Sequence, residues 1–173
     1  MHGDGAPSDW VVRWAGAIPP GPVLDLACGR GRHARFLASR GHPVLAVDRD
    51  AEALADLQGV VGVETLAADL EDGSPWPLAG RRFCAVVVTN YLHRPLFSAI
   101  RASLAADGVL VYETFMAGNE RYGKPSNPKF LLAPGELWTA FGDLRVLGFE
   151  QGFRATPKPA MIQRLVAVPG AFQ

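Results

Sequence analysis

Asp25-Leu26-Ala27-Cys28-Gly29-Arg30-Gly31-Arg32-His33 is the stretch that decides how this chain reads. The apolar run Pro22 to Ala27 has the look of a buried strand, and Arg32 to Arg40 that of a helix stopped by Gly41. A strand that passes into a helix through Gly-x-Gly makes a loop whose backbone can press against a ligand, because Gly29 and Gly31 carry no side chain to prevent it. Asp25 sets a carboxylate beside that loop.

Outward from this motif the chain alternates short Val-, Leu- and Ala-rich runs with amphipathic stretches. Val44 to Val47 predicts a second strand ending at Asp48, and Asp50 predicts the cap of a helix to Gln58, with Gly59 after it. A third strand over Val63 to Ala68 ends at Asp69, and Phe83 to Thr89 is the fourth and most apolar. Pro95 suits a helix start, with Leu96, Ile100 and Leu104 at four-residue spacing and Gly108 as its stop. Val109 to Glu113 predicts the fifth strand, Pro134 to Phe141 a short helix, and Leu144 to Phe153 with Ile162 to Val168 two closing strands. The link between these last two is too short for a crossover helix, so one of them is expected to run antiparallel. A further short helix is expected at Trp10 to Ala17, ahead of the first strand. The expected architecture is therefore α/β: a doubly wound, seven-stranded, mostly parallel Rossmann-like sheet with a C-terminal antiparallel hairpin.

Bulk properties narrow the function classes. At 173 residues the chain is expected to be one domain, and 49% hydrophobic with 20% charged residues is the balance of a globular protein. Seventeen basic residues against seventeen acidic ones leave no broad cationic face, so nucleic acid is not the expected partner. No apolar run approaches the roughly 20 residues that cross a bilayer, and Met1 to Trp10 lacks the pattern of a signal peptide. Cys28 and Cys84 form no Cys-x-x-Cys pair, and His2, His33, His42 and His93 lack ligand spacing, so no metal is expected and the compartment is expected to be the cytoplasm. Nothing in the sequence specifies an oligomeric state.

In sheets of this kind ligands bind outside the carboxyl ends of the strands, where the strand order reverses. Asp48 can accept hydrogen bonds from both hydroxyls of a ribose, and Ala68-Asp69-Leu70 is placed to contact an adenine edge and cover its face. Gly29-x-Gly31-x-x-Ala34 also satisfies the dinucleotide fingerprint, with Asp48 near the offset of about 20 residues, which keeps a nicotinamide-dependent oxidoreductase as an alternative. Against it, Asp25 would add negative charge beside a pyrophosphate, the helix that follows carries Arg and His, and the chain leaves no room for a separate substrate domain.

Asp25 to His33 resembles the first motif of the class I S-adenosylmethionine-dependent methyltransferases, an acid followed by Gly-x-Gly. Asp48, Asp69 and Thr89-Asn90-Tyr91-Leu92 fall where that class places its later motifs, and the closing hairpin is similar too. Ala27 departs from the pattern, since glycine is common there. Within the class, Cys28-Gly29-Arg30-Gly31-Arg32 and Arg164-Leu165 are similar to the tellurite-resistance-type small-molecule methyltransferases. The resemblance implies S-adenosylmethionine as cofactor. It implies that Asp25, Gly29 and Gly31, with Ala27, Cys28 and His33 around them, hold the methionine part. Asp48 with Arg49 would hold the ribose, Ala68, Asp69 and Leu70 the adenine, and Asn90 and Tyr91 would lie beside the transferred methyl. It implies methyl transfer to a small-molecule acceptor, although a domain that binds the cofactor without catalysing anything shares the same motifs.

Two stretches are candidates for the acceptor. In Asn90-Tyr91-Leu92-His93-Arg94, His93 is the first choice for a general base because imidazole titrates near neutrality, with Tyr91 beside it and Arg94 as a binding group. Glu113-Thr114-Phe115 leads into the polar loop Asn119 to Pro128, where Asn119 and Tyr122 join Glu113 as candidate acceptor contacts. Arg164 is a further one, with a carboxylate across the terminal hairpin as its alternative partner.

Overall fold

The computed structural model describes residues 5–170, so His2 and the rest of Met1 to Asp4 lie outside the described residues, as do 171–173. Seven strands form one sheet: β1 (Val23–Leu26), β2 (Val44–Asp48), β3 (Val63–Ala67), β4 (Phe83–Thr89), β5 (Leu104–Phe115), β6 (Arg145–Arg154) and β7 (Ala160–Val168), in the order β3-β2-β1-β4-β5-β7-β6. The first five run parallel to one another, and β7 lies antiparallel between β5 and β6. The expected mostly parallel sheet with an antiparallel hairpin is thus what the chain forms.

The central strands are apolar on both faces because both faces are covered. Leu24 and Leu26 of β1, Val86 and Val88 of β4, and Leu110 and Tyr112 of β5 pack toward α4 (Phe97–Ala102) and α5 (Glu136–Ala140), where Ile100, Leu137 and Phe141 complete the layer. Val23, Ala46, Val87, Val111 and Val166 pack the other way, against α1 (Asp9–Trp14), α2 (Arg32–Ser39) and α3 (Ala51–Ala55), through Trp10, Val11, Leu37 and Leu54. Each such Val or Leu contributes about 1.5–3 kcal/mol on leaving water, which is why the alternation along each strand sorts its side chains between two layers. The helices are short, and side chains cap some of their ends. Asp50 accepts from the amides of Glu52 and Ala53 at 3.0 and 3.1 Å, as its position in the sequence predicts, and Gln163 of β7 accepts from Leu137 N–H at 2.7 Å to cap α5.

Some boundaries move. The third strand stops at Ala67, one residue short of its expected end, α3 stops at Ala55, and the first helix is shorter than expected, with a 3-10 turn over Ala15–Ala17. The larger departure follows β4. Pro95 begins a 3-10 turn (Arg94–Leu96), α4 closes at Ala102, and Leu104 opens β5 opposite Phe83 instead of ending the helix. The four-residue spacing was real, but Leu104 takes up the same buried layer from a strand. Three more residues are accommodated in β5 than in β4 before Val109 meets Ala85, and Gly108 lies within that irregularity, not at a helix stop. A Cβ at Gly108 would come within 2.8 Å of the Phe83 carbonyl oxygen, a backbone atom that cannot swing aside.

Gly108→Ala is therefore expected to lower stability by about 1–3 kcal/mol through overpacking. Gly16→Ala, where an added Cβ meets nothing within 4 Å, should change it by less than about 0.5 kcal/mol. Urea unfolding of both variants checks this; equal midpoints would refute the close approach.

Candidate functional site

The strand order reverses between β1 and β4, whose following chains depart to opposite sides and leave a crevice at their carboxyl ends. Ala27, just after β1, and Asn90, just after β4, both line the crevice with φ of 54°. They are the two non-glycine residues with positive φ among those described; Asn tolerates this conformation, whereas Ala27 is strained by about 1–2 kcal/mol. The missing glycine at position 27 therefore does alter the energetics: Ala27 holds the same left-handed turn under strain, facing the cavity. The loop beyond it is braced from β2. Asp48 accepts from Gly29 N–H at 2.8 Å with one oxygen and from Asp50 N–H at 2.9 Å with the other. Gly31, at φ 81°, lies so close to Leu57 that a Cβ would sit 2.5 Å from its side chain.

Asp25 lies beneath this loop, 1% exposed, and neither carboxylate oxygen makes a well-formed hydrogen bond, the contact with the Ala34 amide being a weak one. Burial pushes its pKa from the ordinary 3.8 up to about 7, with Arg32 and the α2 backbone at Ala34 easing the charge only in part. Cys28 is pushed up by burial and by Asp25, so it is a protonated thiol packed in the layer with Trp10 and Ala34, without nucleophilic character. His33, 2% exposed, accepts from Ser8 N–H through Nε2 at 3.0 Å and has Thr89 Oγ1 3.3 Å from Nδ1. It ties the segment before α1 to the start of α2, and burial holds its pKa down to about 3.

The cavity itself has a volume of about 570 Å³. Of the residues expected around the cofactor, Ala27, Asp48, Arg49, Ala68, Asp69, Leu70, Asn90 and Tyr91 line it, whereas Asp25, Cys28, Gly29, Gly31 and His33 form the layer behind. The acceptor candidates fare differently. His93 stands behind Glu71, its Nδ1 3.3 Å from Oε1, while Tyr91 donates its hydroxyl to Oε2 of the same carboxylate at 3.1 Å. Glu71 lines the cavity and was not singled out from the sequence, although it follows Asp69 by two residues in the same turn. Burial, followed by the charge of Glu71, raises the Tyr91 phenol, so it remains protonated.

Arg94, Glu113, Asn119, Tyr122 and Arg164 do not line the cavity. Arg94 is held by both carboxylate oxygens of Glu136, at 2.5 and 3.1 Å, and by the carbonyls of Lys129 and Leu131, fixing the loop after β5 to α5. Asn119 pins the same loop from the other side, donating to Pro125 O at 2.9 Å and accepting from Met161 N–H at 3.0 Å. Glu113 is bound by Arg154, Arg164 and Ser8, and Arg164 also reaches Asp9, the cross-hairpin pairing being part of this network. Tyr122 is exposed and stacks on Phe153 at 5.2 Å. The loop's contribution to the cavity comes instead from Lys124, Pro125, Ser126, Asn127 and Phe130, opposite Phe115. The polarity of the segment marked the loop in the sequence, but nothing there distinguished the residues that turn inward.

Asp25 and His33 make opposing contributions to stability with pH. The Asp25 contribution is full below about 3.8 and is lost as pH rises to about 7, because the folded state keeps its proton longer than the unfolded chain. The His33 contribution is full above about 6.5 and is lost as pH falls toward about 3, because only the unfolded chain takes up that proton. Asp25→Asn is expected to lose about 1–2 kcal/mol more than the parent between pH 6.5 and 5, and His33→Gln to shift by a similar amount the other way. Denaturant titrations at these pH values check both signs; parallel curves would refute the assignment.

Residues 23–108 match the model of a methyltransferase domain family. No curated protein matches the chain in sequence. Among solved structures, TehB from Haemophilus influenzae superposes with a TM-score of 0.78 at 19% identity, over 92% of this chain and 61% of that one. This chain therefore spans about three fifths of TehB. The N-methyltransferase NodS from Bradyrhizobium japonicum gives 0.69 at 16% identity, over 92% and 93% of the two chains. The glycopeptide N-methyltransferase MtfA, complexed with S-adenosylmethionine, gives 0.65 at 17%, over 92% of each. Among the described residues no helix is long and apolar enough to cross a membrane. By its matched domain and its strand order, the chain carries a methyltransferase domain over residues 23–108 in the fold of the methyltransferases on which it superposes.

Proposed function

We propose that this protein is a single-domain cytoplasmic enzyme that moves the methyl group of S-adenosylmethionine to a small-molecule acceptor, leaving S-adenosylhomocysteine. The supporting observation is the buried Asp25 carboxylate, without a well-formed hydrogen bond, behind a braced glycine loop. An orphaned acid costs stability unless a ligand compensates it, and an ammonium group at the loop would do so. A pyrophosphate would make the burial worse. The residues thus fit the cofactor: Asp25 for the ammonium, Asp48 for the ribose, and Asp69 with Leu70 for the adenine.

The cofactor, when bound, supplies a methyl carbon on a cationic sulfur that is open to in-line displacement. The chain's task is to hold the acceptor in line and to receive any proton it must lose. Tyr91 can relay that proton without becoming a phenolate, because its oxygen takes the acceptor's proton as its own passes to Glu71 Oε2. His93 holds the other carboxylate oxygen and orients it. A cavity of about 570 Å³ takes the cofactor and leaves space for a small acceptor, within the usual range of about 300–1,000 Å³ for such sites.

Calorimetric titration with S-adenosylhomocysteine, with NADH in parallel, tests the reading. Micromolar binding of the first ligand alone is expected, weakened about tenfold or more in Asp48→Ala, or about 1.4 kcal/mol. Binding of NADH alone would make the loop a dinucleotide site. Because an ammonium selects ionised Asp25, affinity should rise about tenfold from pH 6 to pH 8 with proton release below 7, and Asp25→Asn should abolish the slope. In an acceptor screen read by S-adenosylhomocysteine formation, Tyr91→Phe is expected to lower kcat by about a hundredfold with cofactor affinity intact. Cofactor binding with no turnover of any small acceptor would favour a non-catalytic domain.

A further inference from the structure

The charged groups that line the cavity are unevenly distributed. Its carboxylates are Asp48, which ends β2, and Asp69 and Glu71, which follow β3, and Arg49 sits among them. Lys124 lies on the loop after β5, with β1 and β4 between it and those acids. Neither the Lys124 ammonium nor the Ser126 hydroxyl has an ion-pair or hydrogen-bond partner among the described residues. The walls next to them are apolar, formed by Phe115, Pro125 and Phe130.

We infer that the acceptor is a small molecule with an apolar, ring-sized body and an anionic group, a carboxylate or a phosphate, which Lys124 and Ser126 bind. The inference rests on the methyl-transfer reading and deepens it. The loop is built to present these groups and does not trail freely. Asn119 holds the Pro125 carbonyl, Arg94 holds those of Lys129 and Leu131, and Met116 bridges to Leu132 at the loop's far end. A cation on a pinned loop in a partly enclosed site loses less entropy on pairing than a free surface lysine does. The opposing side of the cavity is acidic, so the two ends of the site select ligands of opposite charge. An anionic acceptor is repelled from the adenosine end and drawn to the loop, which also fixes its orientation.

The test uses the full chain saturated with S-adenosylhomocysteine, titrated with benzoate, phenyl phosphate and the neutral benzamide. At least one anion is expected to bind five times more tightly than benzamide or better. Lys124→Met should reduce that advantage below twofold, Lys124→Arg should keep most of it, and neither should change affinity for S-adenosylhomocysteine. The inference is overturned if benzamide matches both anions, if no probe binds, or if the preference survives in Lys124→Met. It is also overturned if Lys124→Met weakens S-adenosylhomocysteine itself, which would give the lysine to the cofactor. Failure of the parent protein to take up S-adenosylhomocysteine would instead refute the methyl-transfer reading beneath it.

Discussion

The Glu113 carboxylate, 1% exposed at the end of β5, is the interaction on which the sheet's C-terminal half depends. Arg154 of β6 binds one oxygen at 3.1 Å, while Arg164 of β7 and the Ser8 hydroxyl share the other at 3.0 and 2.8 Å. One buried charge thus joins the middle of the sheet, both strands of the hairpin and the segment ahead of α1. Removing any arginine would leave a buried carboxylate undercompensated, a defect of about 3–5 kcal/mol in comparable pairs, whereas the complete set satisfies every oxygen. Arg164 reaches on to Asp9 and Glu150, and Arg13 reaches Glu150 from α1, so the network continues to the surface where water screens it.

The crevice lies beside this frame and is built on opposite terms. There the charges are left incomplete: the Asp25 carboxylate makes no well-formed hydrogen bond, and the backbone is strained at Ala27. Residues held in unfavourable states within a rigid frame are a common mark of binding sites, because the frame absorbs what the site itself would not tolerate. His33 is where the two regions meet, since it touches Ser8 of the frame and Thr89 at the end of β4.

Much of this was legible in the sequence. The strands of the central sheet were readable because each is a continuous apolar run bounded by an acid or a glycine, and a fully buried parallel strand leaves no other pattern. The residues that line the crevice from β1, β2 and β4 were readable for a related reason: they sit at strand ends, where a local motif fixes both position and direction. Leu104 and Gly108 were misplaced because a helical spacing of leucines continued into a strand that buries the same layer, and only the pairing with Phe83 reveals the change. The acceptor half resisted reading because its geometry is set by distant contacts. Whether Arg94 faces a ligand or Glu136, and whether Glu113 faces the cavity or Arg164, depends on partners 42 and 51 residues away. Glu71, Lys124 and Phe130 gain their meaning only from the walls they complete.

The order of strands in the sheet has a consequence for a chain made from its amino end. β6 is synthesised before β7, yet its neighbour in the sheet is β7, which lies between it and β5. Until β7 leaves the ribosome, β6 has no edge to pair with, β5 presents an open row of backbone groups, and Glu113 lacks Arg164. The nascent protein can therefore form its crevice while β5 remains an adhesive edge, and β7 is the strand that covers β5 and gives β6 its place.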